Sequence, residues 1–135
     1  MKKFILSCFM FHASCFMLLA GELRIMPMGD SITYGSHSAA TAGYRGPLYT
    51  LLSNAGYTNI KFVGTATDTP GTLPSDQQHH EGHSGWIISK SSGSSRTGMH
   101  EYLPTSFSQI LGPHVILLHL GTNDASDSTA FSSVM

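Results

Sequence analysis

Ser31 stands in Gly29-Asp30-Ser31-Ile32-Thr33-Tyr34-Gly35, directly after a short, mostly apolar run from Leu23 to Met28. A serine hydroxyl is a weak nucleophile at neutral pH and needs an adjacent base, so its address matters first. The run reads as a buried strand. A tight, glycine-flanked turn at the carboxyl end of a strand is where open α/β sheets bind ligands. Gly29 and Gly35 allow close backbone approach, and a helix opened by Ser31 would aim its first amides and positive dipole end at developing negative charge. The same residues also read as a plain helix cap, since Asp and Ser are favoured there. His119-Leu120-Gly121-Thr122-Asn123-Asp124 repeats the arrangement, an apolar strand running into a glycine turn that carries an asparagine. Taken alone, Asn123 reads as a turn residue at ease in left-handed geometry. Between the two lies His80-Glu81-Gly82-His83-Ser84-Gly85-Trp86. His79, His80 and His83 beside Glu81 invite a metal reading. No helix or strand in the sequence pattern fixes their spacing, so structural or loop histidines are expected and no metal is assigned.

These residues need a scaffold. Leu23–Met28, Asn59–Gly64 and His114–Leu120 are short apolar runs of the kind that helices cover on both faces, which predicts parallel strands. Tyr44 to Tyr57 carries Leu48, Leu51, Leu52 and Ala55 at helical spacing, with Pro47 tolerated in the first turn and Gly56 placed to end the helix. A right-handed β-α-β unit follows. Ala66 to Gly98, rich in Gly, Ser, Thr, Asp and Pro, reads as loop anchored by Trp86-Ile87-Ile88. Met99 to Leu111 fits a helix that Pro104 breaks or restarts. His119, inside an apolar strand, is expected to be a hydrogen-bonded core residue. Strand–helix alternation predicts an α/β fold with a doubly wound sheet.

The three blocks, in this order, resemble the SGNH (GDSL-type) hydrolases. The middle block, with Gly43-Tyr44-Arg45, resembles carbohydrate esterase family three, a branch that includes acetyl xylan esterases. The resemblance covers most of residues 23–124. It implies a three-layer αβα sandwich with a flavodoxin-like parallel sheet, of which about three of five strands are expected here. It implies Ser31 as nucleophile. Ester hydrolysis passes through a tetrahedral oxyanion that needs fixed donors, and the resemblance supplies them as the Ser31 amide, the Gly85 amide and the Asn123 side chain, with Gly82 as runner-up to Gly85. Asp30, Arg45 and Trp86 become candidate substrate contacts, Arg45 being alternatively an organiser of the site's loops or a surface arginine at a helix start. The family's base is the histidine of an Asp-x-x-His near its carboxyl terminus, and no such block follows Asn123 in this sequence. Asp76-Gln77-Gln78-His79 has the spacing, but it precedes the middle block and is not expected to act as base.

The expected activity is therefore hydrolysis of short-chain acyl, chiefly acetyl, esters on carbohydrate such as acetylated xylan. It needs no cofactor, and this sequence is expected to be inactive or poorly active. A catalytically dead fragment that at most binds carbohydrate is the alternative. A lipase-like reading stands third, since no long apolar lid is visible. The third strand would normally be central in such a sheet; here one edge is expected to be unpaired and open to self-association.

Composition agrees with one modest domain of 135 residues, 41% of them hydrophobic. Residues 1–20 read as a secretory signal peptide: Lys2 and Lys3, then an uncharged, mostly apolar run from Phe4 to Leu19, then Ala20-Gly21. A retained membrane anchor is the other reading of that run. The expected localisation is extracellular, with no membrane contact after cleavage. Residues 22–124 then form the front part of the hydrolase domain, and 125–135 an irregular tail. Both cysteines, Cys8 and Cys15, lie in the leader, so no disulfide is expected in the mature chain. Without Lys2 and Lys3, five basic side chains face eight acidic ones. Such a balance offers no basic patch for nucleic acid.

Overall fold

The computed structural model describes residues 21–38, 42–67, 73–90, 94–107, 110 and 112–126. The leader, residues 1–20, and the tail beyond 126 lie outside them. Strand β1 (Leu23–Gly29) is the axis of the sheet and is followed by helix α1 (Ser31–Tyr34) and helix α2 (Arg45–Asn54). Then come β2 (Ile60–Phe62), β3 (Ala66–Thr67), a 3-10 turn (Ser75–Gln77) and β4 (His79–Gly82). Helix α3 (Met99–Ser106), β5 (Val115–His119) and helix α4 (Thr122–Ser126) complete the order.

β1 runs parallel to β2, β4 and β5. Met28 and Gly29 pair with both β4 and β5, and Ile25 pairs with both β2 and β5. Because a residue pairs once on each edge, β5 takes one edge of β1 while β2 and β4 share the other. The short β3 joins antiparallel to β4.

Period-two alternation in β1 divides the core. Ile25 packs with Ala42, Phe62, Leu73 and, from α2, Leu48 and Leu52. Met26 and Met28 face the other way, onto Val63, Met99, Tyr102 and Leu103. Helices therefore cover both faces, the three-layer α/β/α arrangement expected. α2 ends where its glycine predicts: Gly56 takes φ +90°, its N–H reaches Ser53 O, and Tyr57 N–H reaches Leu52 O. Those two bonds satisfy carbonyls that the last turn would leave bare.

Several expectations change. The segment expected as loop contains β3 and β4. β4 escaped a hydrophobic-pattern reading because His79-His80-Glu81-Gly82 has no apolar period, yet His80, Glu81 and Gly82 are buried. The three expected parallel strands are present, and the short β4 and the antiparallel β3 join them in one sheet. Helix α3 passes through Pro104 without a break and ends at Ser106. His119 is exposed rather than in the core, and it is its carbonyl that is used, accepting Asp30 N–H at 3.4 Å. Helix α4 also takes in Ala125 and Ser126, the first two residues of the expected tail.

Candidate active site

Three neighbouring strands end at one edge, and each ends in a candidate. β1 runs through Gly29 into Asp30 and Ser31. A Cβ on Gly29 would strike the His119 carbonyl of β5, which is why this turn requires glycine. Asp30 caps α1, its Oδ1 accepting Ile32 N–H at 2.9 Å. That leaves the Ser31 N–H, the first of the helix, without an acceptor among the described residues. The Ser31 hydroxyl, half-buried, likewise makes no hydrogen bond there.

β4 runs into the turn His83-Ser84-Gly85-Trp86, closed by Trp86 N–H to His83 O at 3.3 Å. Gly85 sits third in the turn at φ +81°, the position where a type II turn demands a positive φ and hence glycine. In that turn the third residue's amide points away from the closing bond, and Gly85 N–H has no acceptor among the described residues. Gly82, the runner-up, is a packing glycine: a Cβ there would strike the Tyr34 backbone nitrogen, so α1 lies directly on β4.

β5 runs through Gly121 into α4. Asn123 Nδ2 donates one hydrogen to Trp86 O at 2.8 Å, so the side chain reaches across the end of β1 to the β4 turn, with its second N–H left over. Asp124, buried, accepts Ile88 N–H at 2.9 and 3.1 Å through its two oxygens. Ser36 Oγ and Ser84 Oγ lie 3.0 Å apart, and His83 N–H donates to Gly29 O at 2.9 Å. The three blocks are thus hydrogen-bonded into one edge.

Two candidate substrate contacts do not face solvent. Asp30 is fully buried as the cap just described, and its Oδ2 has no partner among the described residues. Arg45 is fully buried as well, its Nε on Thr33 O at 3.0 Å and its Nη2 on Tyr34 O at 3.2 Å. It holds the last carbonyls of α1, which makes it the organiser of this turn, not a substrate contact or a surface arginine. Trp86 remains half-buried at the edge, stacked on His83 with ring centroids 4.0 Å apart and met edge-on by Tyr102 at 4.8 Å.

A sequence reading missed the pair behind this stack. His83 Nε2 lies 3.0 Å from Glu81 Oε2, and Thr65 N–H donates to Glu81 Oε1. Burial pushes the Glu81 carboxyl up, but the hydrogen bonds from His83 and Thr65 together outweigh it and hold the group below its ordinary range. The histidines do not converge on a common point. His79 Nδ1 bonds Gly64 O, His80 Nδ1 accepts Gly82 N–H, and His83 turns to Glu81. Among the described residues no group of three or more His, Cys, Asp or Glu is placed to hold a metal ion. Asp76 and His79 lie at the other end of β4, about 10 Å from Gly82 at the rise of a strand. Position excludes them from the Ser31 edge.

No family model matches the chain. Over 118 residues it is 36% identical to a multidomain esterase of Ruminococcus flavefaciens, a match covering 80% of this chain and 15% of that protein. It superimposes on a family 3 carbohydrate esterase of Clostridium thermocellum with a TM-score of 0.65 and 33% identity, over 84% of this chain and 53% of the other. A mutant acetyl esterase solved with an acetate ion gives 0.51 and 25%, over 76% and 45%. The chain therefore spans about half the length of these solved relatives and a small part of the multidomain one. By sequence and by fold it is related to the family 3 carbohydrate esterases, the SGNH-type group that its three blocks resemble.

Proposed function

We propose that the chain is the front part of a secreted serine esterase that removes short acyl groups, acetyl above all, from carbohydrate such as acetylated xylan. One observation carries the reading: the Ser31 and Gly85 amides, which have no acceptor among the described residues, and the second N–H of Asn123 Nδ2, whose first is on Trp86 O, stand at the ends of three adjacent strands, one of them on the residue that bears a hydroxyl. Such donors suit an oxyanion that forms when that hydroxyl attacks an ester carbonyl. Ser31 Oγ adds to the carbonyl carbon, the alkoxide of the sugar leaves and takes a proton, and water then releases acetate from Ser31. The names of the relatives support ester and carbohydrate as the substrate class. The signal-like leader supports secretion, and the half-buried Trp86 is an aromatic group at this edge for a sugar to meet.

The proton must be taken from Ser31 by a base, and the 135 residues hold no Asp-x-x-His beyond Asn123. The polypeptide by itself is therefore expected to hydrolyse esters poorly. The test compares the chain with Ser31→Ala on p-nitrophenyl acetate, alone and after appending an Asp-x-x-His-bearing second half from an esterase of this family. A slow rate alone and a large Ser31-dependent rate in the fusion are expected. A fusion whose rate is indifferent to Ser31→Ala would sink the proposal.

A further inference from the structure

The carbonyl of the candidate oxyanion glycine is held by a cation. Arg96 Nη1 donates to Gly85 O at 3.0 Å, and the same nitrogen is what a Cβ on Gly85 would meet, at 3.6 Å. Arg96 is itself anchored: its N–H donates to Oγ of the buried Ser94 at 3.1 Å. Just after it the chain is bonded back to Ile87, with Ile87 N–H on Thr97 O at 3.0 Å and Met99 N–H on Ile87 O at 2.8 Å. The next carbonyl along, that of Trp86, is the one held by Asn123. Two successive peptide planes are thus tied through their oxygens.

Gly85 joins those planes to the one that carries its own amide. Without a Cβ, glycine turns readily about φ, so its own sterics do not set the direction of Gly85 N–H. That direction is set from both sides, by the hold of Arg96 on the Gly85–Trp86 peptide and by the turn's closing bond from Trp86 N–H to His83 O. A guanidinium offers several donors in a fixed plane.

We propose that Arg96 is a positioning residue of the oxyanion site, holding the Gly85–Trp86 peptide, and through it the turn, so that the Gly85 amide faces the reacting oxygen. This rests on Gly85 being an oxyanion donor, as proposed above. The test uses Arg96→Met, Arg96→Lys and Ser31→Ala, with two readouts. Trp86 is the sole tryptophan, so acrylamide quenching of its emission reports on the turn without catalysis. Arg96→Met is expected to raise quenching at an unchanged thermal midpoint, with Arg96→Lys restoring it. With p-nitrophenyl acetate, in the fusion, Arg96→Met is expected to lower kcat about tenfold at constant KM. Unchanged quenching and kcat would overturn the proposal. So would a lowered midpoint that Lys does not rescue, which marks a bulk structural role, or a raised KM at constant kcat, which marks a substrate contact. If Ser31→Ala leaves the fusion's rate intact, the esterase reading fails instead, and quenching alone then decides whether Arg96 holds the turn.

Discussion

Glu81 shows how one residue's surroundings set a pH dependence. Its carboxyl is buried, yet bonds from His83 and Thr65 favour the charged form more than burial opposes it. A group whose folded pKa is depressed contributes stability that is complete above its unfolded value, here about 4.5, and is lost as pH falls through the lower folded value. Glu81→Gln removes that component. The thermal midpoint of the variant is expected to lie further below that of the unmodified chain at pH 7 than at pH 3.5. Equal gaps at the two pH values would show that the carboxylate's charge does not matter. At this scale Ser31, Gly85 and Asn123 were legible because each follows a strand and sits in a short, distinctive block. Glu81, Asp124 and Arg96 were not, because partners of theirs lie 16, 36 and 11 residues away along the chain and meet them only through the fold.

At the scale of elements, the contact of α1 on β4 carries the site. Gly82 lies under Tyr34 with no room for a methyl group, and Arg45 grips the far end of the same helix. Gly82→Ala is expected to lower the thermal midpoint of the chain substantially, by an overpacking cost of about 1–3 kcal/mol. Gly85→Ala, where the space is open but φ is +81°, strains the turn locally instead. Calorimetry on the two variants checks the order; a smaller loss at Gly82 would contradict the packing described. β1, β2, β5 and α2 were readable since apolar period and a terminating glycine suffice for them. β4 was not, because its residues are polar and are buried only by virtue of the bonds they find in place. Pro104 misled for a related reason: helix α3 is held at its start by bonds from Met99 and His100 N–H to Ile87 and Ile88 carbonyls, which local propensity does not include.

On the whole molecule, β5 pairs only with β1 among the described residues, and Leu118 and Ile116 are 62% and 44% exposed. Beside it, Tyr44, Leu48 and Leu51 line an apolar groove of about 570 Å³. From Pro113 to Gly121 the sequence has no Lys, Arg, Asp or Glu to discourage edge pairing. The isolated 135-residue polypeptide is expected to self-associate with rising concentration, and Leu118→Lys to shift it toward monomer in sedimentation velocity. Indifference to that substitution would place any association elsewhere.

The sequence by itself determined the α/β class and the strands that lead into the three blocks, because periodicity, glycine and capping are local properties of a chain, and those blocks marked the three candidate donors. Only the tertiary structure decided which residues face solvent and which hold others in place. It buried Asp30 and Arg45 inside the turn they were expected to open to substrate, set His119 outside the core, and put Asp76 and His79 at the wrong end of a strand that no pattern announced. The physical reason is that burial and hydrogen-bond partnership belong to pairs of residues, and a pair's separation in space is fixed by the packing of the sheet and helices between them.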